Sequence, residues 1–236
     1  NSQEKISKQL GDGKLLSQLT KKNIVYNFRQ NDIKNGGEGA PLTPIFHQLL
    51  ATQYKIDLPS CILNIGGISN ITIIKEPVGT YGFTSRDIGP GNCLIDSWVR
   101  KNSKKHFDKD GLLAGNGIRN DIIFEQAQEL FTNRLNQNTL SFDVNDFDVS
   151  FVRGLSLEDG STTLTDFTAR VIGTSLSSLL SNVSNKIWKV LVCGGGRKNQ
   201  YLIEKIKKNS LKNIIIKPID NYGIDGDFIE SQAFAF

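Results

Sequence analysis

Apolar positions along this chain follow two spacings, one helical and one alternating. Leu15, Leu16 and Leu19 recur at helical intervals, which predicts a short helix from Gly13, followed by a strand over Ile24–Phe28. Asn35 to Pro41 then carries a proline and three glycines, and a loop is expected there. Ile45, Phe46, Leu49 and Leu50 line one face of a helix predicted over Thr43–Thr52. Cys61–Ile65 and Ile68–Ile74 read as two strands around Gly66-Gly67. The second alternates apolar residues with Asn and Thr, as a half-buried strand does.

Gly82 to Asn92 is too rich in glycine and proline to predict helix or strand. It reads as a loop that opens a helix running from Asn92 to about Lys101. That helix would bury Leu94, Ile95, Trp98 and Val99, with Asn92 as N-cap. Further helices are expected over Ile118–Phe131 and Asp166–Leu180, and the polar stretch Thr132–Phe151 between them as a surface excursion. Trp188–Val192 is a buried strand, Cys193–Gly196 a tight turn, Asn199–Lys207 a helix, Ile214–Ile216 a strand and Phe228–Phe236 a helix. Sheet and helix are mixed, with glycines at strand ends. That is an α/β pattern whose ligands sit at the carboxyl ends of strands.

Composition narrows the function classes. A chain of 236 residues buries a real core, in one large domain or two smaller ones. The net charge is +4, and lysine pairs such as Lys104-Lys105 and Lys207-Lys208 lack interleaved aromatics, so they read as solvated faces and not a nucleic-acid footprint. No apolar run approaches the ~20 residues that span a bilayer. No signal peptide is visible, and a cytoplasmic location without membrane partners is expected. Three cysteines at non-zinc spacings point to reduced thiols, and two distant histidines argue against a structural metal site. The chain contains no methionine and starts on Asn1, so a processed or partial polypeptide is expected.

Asp87 is the leading candidate for chemistry. As a lone acid in a glycine-rich loop it could act as a general base, or simply favour the start of the following helix. Gly194, Gly195 and Gly196, between a strand and a helix, could seat a flat ring or phosphate, or form only a tight turn. Asn64, Gly66 and Gly67 offer the same choice between phosphate cradle and hairpin turn. Arg29 could grip an anionic group or pair with Asp32. Glu230 could accept sugar hydroxyls or favour its helix start. Asp96, one turn after Asn92, could orient the loop or be a solvated acid.

Taken in order, several blocks resemble the anhydro-N-acetylmuramic acid kinases, a bacterial family. They are Gln9–Gly13, Asn27–Asp32, Gly36–Leu42, Leu63–Asn70, Asp87–Asn92, Phe107–Gly111, Val190–Gly196 and Glu230–Ala235. The resemblance implies an actin-like ATPase (ribonuclease H-like) fold of two α/β lobes around a nucleotide cleft. Residues 1–58 would be a remnant of the amino-terminal lobe and 59–236 the carboxyl-terminal lobe with the nucleotide and sugar sites. It implies conversion of 1,6-anhydro-N-acetylmuramic acid, ATP and water to N-acetylmuramic acid 6-phosphate in peptidoglycan recycling. The partners would be the amino sugar and ATP with magnesium, and a homodimer is compatible with it. By the same resemblance Asp87 is the base that activates water. Arg29 and Glu230 face the sugar, Gly194–Gly196 face adenosine, and Asn64, Gly66 and Gly67 lie near phosphates. The chain departs from the family pattern in three ways. The Gly-Thr-Ser-x-Asp-Gly phosphate loop is not found, Asn27 stands where Asp is usual, and Thr84-Ser85-Arg86 is an apparent insert beside Asp87. A non-catalytic sugar- or nucleotide-binding remnant is the alternative.

Overall fold

The computed structural model describes residues 10–37, 39–79, 82–135, 142–181 and 187–236. The chain divides into two compact units, a small one ending at Leu42 and a large one, Thr43–Phe236.

In the small unit, α1 (Gly13–Thr20) is capped by Asp12, whose carboxylate accepts from the Lys14 and Leu15 amides at 2.9 and 3.0 Å. The strand expected over Ile24–Phe28 does not form. Asn27 turns into the left-handed region at φ 66°, and Phe28 begins helix α2 (Phe28–Lys34). Arg29 therefore lies on a helix and not at a strand end.

The large unit opens with α3 (Pro44–Gln53), where proline sits in the first turn and needs no amide partner. Its buried face is Phe46, His47, Gln48, Leu50 and Ala51, while Ile45 stands 60% exposed. Phe46 and Leu50 of the expected face are buried and Leu49 packs against the same core, whereas the periodicity passed over His47 and Gln48 because they are polar. His47 bonds Thr72 at 2.8 Å, and the Gln48 amide donates to the Glu76 and Pro77 carbonyls.

Five strands form one sheet: β1 (Ser60–Ile65), β2 (Ile68–Ile74), β3 (Phe83–Pro90), β4 (Trp188–Cys193) and β5 (Ile214–Pro218), in the order β3-β2-β1-β4-β5. β1, β2 and β3 run antiparallel in sequence, whereas β4 and β5 run parallel to β1. β3 corrects the expected loop at Gly82–Asn92. Thr84, Ser85 and Arg86 pair in register with Ile73, Thr72 and Ile71. The apparent insert is thus ordinary ladder, and the register shifts only opposite Ser69 and Asn70, a bulge that leaves Ile88 over. Gly89 and Pro90 are tolerated because β3 is an edge strand. Gly89 adopts φ +143°, and a Cβ there would lie 2.5 Å from Val171.

Helices cover both sheet faces. On one side α7 (Leu157–Leu180) and α8 (Gln200–Asn209) pack on Leu63, Ile65, Val190 and Val192. On the other, α3 and α9 (Ile229–Ala235) pack on Ile62, Ile74 and Leu191. Adjacent strand residues face opposite sides, which is the period-two signature of a sheet buried on both faces. A further core joins α4 (Cys93–Asn102), α5 (Leu112–Asn116), α6 (Asp121–Leu135) and α7. The surface excursion expected over Thr132–Phe151 is corrected in part, because Phe142 and Val149 are buried in this core beside Phe131. Residues 136–141 of that stretch lie outside the described ones. Helix α7 starts nine residues before Asp166, from Leu157. Its first turns bury Ser161, Thr162, Thr163 and Thr165, and the hydroxyls of the first three donate to carbonyls four residues back, which hides polar groups from a hydropathy pattern.

Candidate active site

The parallel pairing of β1 with β4 sets Asn64 opposite Cys193, so the turns that follow these strands emerge side by side. The Gly66-Gly67 turn receives the start of α4. The Gly91, Asn92 and Cys93 amides donate to the Gly67, Gly66 and Gly67 carbonyls at 2.9, 2.7 and 3.1 Å. These donors are thereby used within the protein. The Asn92 side chain does not cap its helix but donates to the Ile65 carbonyl at 3.2 Å. A Cβ on Gly91 would sit 2.3 Å from the Gly66 carbonyl oxygen, so only glycine allows this approach.

From the other side, Gly194 at φ +78° meets the same strand end. A Cβ there would lie 2.4 Å from Asn64 Oδ1, and one on Gly196 would lie 2.3 Å from Ile65 Cγ2. The two glycine turns and the helix start thus form one constellation, which one-dimensional reading could propose but not place. We expect Gly91→Ala to cost about 2 kcal/mol, because the clash is with backbone and cannot be relieved by a rotamer. Urea unfolding against the parent measures it.

A cavity of about 410 Å³ opens beside this constellation, lined among others by Asn92, Asp96, Phe107, Lys109, Gly195 and Lys198. Asp96 is on its wall and not a fully solvated acid, with its side chain 28% exposed. Burial pushes its carboxyl up to about 6, against the opposing pull of Arg100 and with added repulsion from Asp108. Asp108 is itself buried and caps α5, accepting from the Leu113 and Ala114 amides at 2.8 and 3.0 Å.

Asp87 lies in β3 opposite Asn70 and is nearly buried. Its Oδ2 accepts from the Phe142 amide at 2.9 Å, and it is not among the described residues lining the cavity. In the small unit Arg29 donates to the Gly39 carbonyl at 2.6 Å and Asp32 accepts from the Gly39 amide at 2.7 Å, so both side chains close on one glycine. Glu230 is exposed in the first turn of α9. Its charge is felt at the Cys193 thiol, which burial pushes up to about 12. Sequence reasoning gave no site role to Phe107, Lys198 or, above all, Arg197, a buried cation directly after the triple glycine. The available signal was the acid-rich run Asp220, Asp225 and Asp227 that neutralises it. Among the described residues no group of three or more His, Cys, Asp and Glu side chains is placed to hold a metal ion, and no helix is long and apolar enough to cross a membrane.

Fold and site together define an α/β protein with a cavity beside glycine turns at the carboxyl ends of parallel strands. The profile of the family described as anhydro-N-acetylmuramic acid kinase matches residues 1–236, and the chain belongs to that family. The mixed sheet with helices on both faces agrees with the actin-like α/β fold expected of it. The chain is 55% identical over 236 residues to the anhydro-N-acetylmuramic acid kinase of Pelagibacter ubique, covering all of this chain and 63% of that protein. It is 38% identical over 229 residues to the enzyme of that name from Zymomonas mobilis, covering 97% of this chain and 60% of the relative. The chain therefore spans about three fifths of the length of these curated relatives. Among solved structures, an activator of 2-hydroxyisocaproyl-CoA dehydratase from Clostridium difficile with bound ADPNP aligns over 82% of this chain and 67% of its own, at 15% identity and a TM-score of 0.45.

Proposed function

We propose that this chain is part of an ATP-dependent kinase that opens 1,6-anhydro-N-acetylmuramic acid with water and yields N-acetylmuramic acid 6-phosphate. Residues 59–236 would form the carboxyl-terminal lobe and residues 1–58 part of the amino-terminal one. The observation that carries the reading is the meeting of Gly66-Gly67, Gly91-Asn92 and Gly194–Gly196 beside one cavity, in a chain of this family.

In this reading the cavity takes the nucleoside against Gly195, with Lys109 and Lys198 as cations for its phosphates. Asn64, Gly66 and Gly67 shape the adjoining floor. Asp87 takes a proton from water as the water attacks the anomeric carbon. The bridge opens, and the freed O6 accepts the γ-phosphoryl group. Arg29 and Glu230 would bind the sugar. Magnesium is assigned to the nucleotide's phosphates, because no protein cluster among the described residues suits it.

Coupled ADP release with 1,6-anhydro-N-acetylmuramic acid tests the reading. Release that depends on the sugar supports it. Calorimetric sugar binding without any release would favour a non-catalytic binding protein instead.

Asp96 gives a second test. Its charge appears as pH rises through about 6 and then opposes the phosphates of a bound nucleotide. ADP affinity of the parent is expected to weaken across that range by about three- to tenfold relative to Asp96→Asn, whose site stays neutral. Parallel profiles in the two proteins would remove Asp96 from the nucleotide's surroundings.

A further inference from the structure

Arg197 is the residue whose placement the reaction scheme leaves unexplained. Its side chain is 6% exposed, an unusual setting for a cation on a short turn. Its guanidinium makes four hydrogen bonds. Nε and Nη2 donate to the two oxygens of Asp220 at 2.8 and 3.0 Å, a planar fork that a lysine cannot reproduce. Nη1 donates both to Asp227 at 2.6 Å and to the Gly194 carbonyl at 3.0 Å. Asp225 stands 3.8 Å away as a third acid.

The backbone is arranged to admit this group. The Gly194 amide donates to the Gly226 carbonyl at 3.0 Å, which draws loop 220–227 onto the glycine turn. A Cβ on Gly226 would lie 2.5 Å from Arg197 Nε, so the glycine there makes room for the guanidinium. Asp227 also accepts from Lys198 at 2.5 Å, and Lys198 and Gly195 both line the cavity. One arginine therefore ties together the glycine turn, the loop that leads into α9, and the acid that holds a cavity-wall lysine.

We propose that Arg197 is a positioning residue, which fixes Gly194–Gly196 and Lys198 in the geometry that binds an anionic nucleotide without itself touching it. This rests on the reading of the cavity as a nucleotide site. The clamp is permanent and not a switch. Arg197 holds Asp227 down at about 2 and Asp220 below the usual carboxylate range, so both acids stay ionised throughout the neutral range. The guanidinium is itself held above its ordinary value, first by its hydrogen bonds to Asp220.

The test pairs ADP calorimetry with amide hydrogen exchange on the parent, Arg197→Lys and Asp220→Asn. Asp220→Asn keeps the shape of the contact and guards against a fold lost with the arginine. Both variants are expected to bind ADP about tenfold more weakly. Exchange should accelerate at Gly194 and Gly196 while the β4 amides stay protected. Variants that bind ADP as the parent does overturn the proposal. So does faster exchange with unchanged affinity, which would make the clamp structural only. A parent that binds no ADP would instead sink the nucleotide reading of the cavity, and the proposal with it.

Discussion

Asp87→Asn is expected to lower kcat for anhydrosugar-dependent ADP release by about 10²–10⁴-fold, with the KM for ATP little changed. The substitution suits the local geometry. Asp87 Oδ2 accepts from the Phe142 amide at 2.9 Å, and an asparagine carbonyl can take over that bond. The side chain keeps its place in β3, and what is lost is the capacity to receive a proton. Phe142 is in turn fixed by ring contacts to Phe131 and Phe147, with centroids 6.0 and 5.6 Å away. The Phe142 amide is thus a rigid support for the carboxylate. That matters because misplacement by ~1 Å can cost ~10²-fold in rate. Asp87→Glu, which keeps the charge and shifts it by a methylene, should therefore recover only a small part of the lost rate. A complete enzyme that is equally active with Asp87→Asn would end the assignment of this residue as the base.

The support for Asp87 also shows where the sequence stopped being readable. The β1–β2 hairpin, the β4–turn–α8 unit and β5 were legible, because apolar runs were punctuated by glycines at their ends. The family resemblance was legible from ordered short blocks. The Asp87 segment was misread as loop because Gly89 and Pro90 outweighed Thr84-Ser85-Arg86 in a local reading. The edge position that makes both residues acceptable is a property of the sheet and not of the segment. Phe142 was missed for a similar reason. One buried aromatic in a polar stretch has no period of its own, and its ring partners, Phe131 just before the stretch and Phe147 within it, are not set at any regular spacing from it. The Arg197 clamp joins residues 23 and 30 positions apart, a separation at which spacing carries no signal. The glycines did announce close approach, but what each approaches became visible only in three dimensions.

His47, absent from every candidate list drawn from the sequence, is expected to make the protein acid-labile. It is buried at 1% exposure between α3 and the sheet, and its Nδ1 lies 2.8 Å from Thr72 Oγ1. Thr72 Oγ1 lies 3.3 Å from Ser85 Oγ, and Ser85 donates to the Ile71 carbonyl at 3.0 Å. One direction of donation satisfies the whole row: Nδ1–H to Thr72, Thr72 to Ser85, Ser85 to the carbonyl. That order assigns the neutral ring with its proton on Nδ1. A second proton must then go to a ring buried away from water, and that burial lowers the pKa from 6.5 to about 4. The sign follows from linkage. The unfolded chain binds this proton more readily than the folded one, so the His47 contribution is complete above pH 6.5. It falls away as pH drops toward about 4. The loss by pH 4 is about 3 kcal/mol, a large part of the 5–15 kcal/mol typical of a folded domain. Urea unfolding of the parent and His47→Gln at pH 7.5 and 4 isolates this effect, since carboxylate titration is shared by both. The parent should lose about 3 kcal/mol more than the variant between the two pH values. Equal losses would show that the ring is protonated at little cost in the folded state, and a direct NMR titration of His47 would then place its pKa near 6.5 rather than 4.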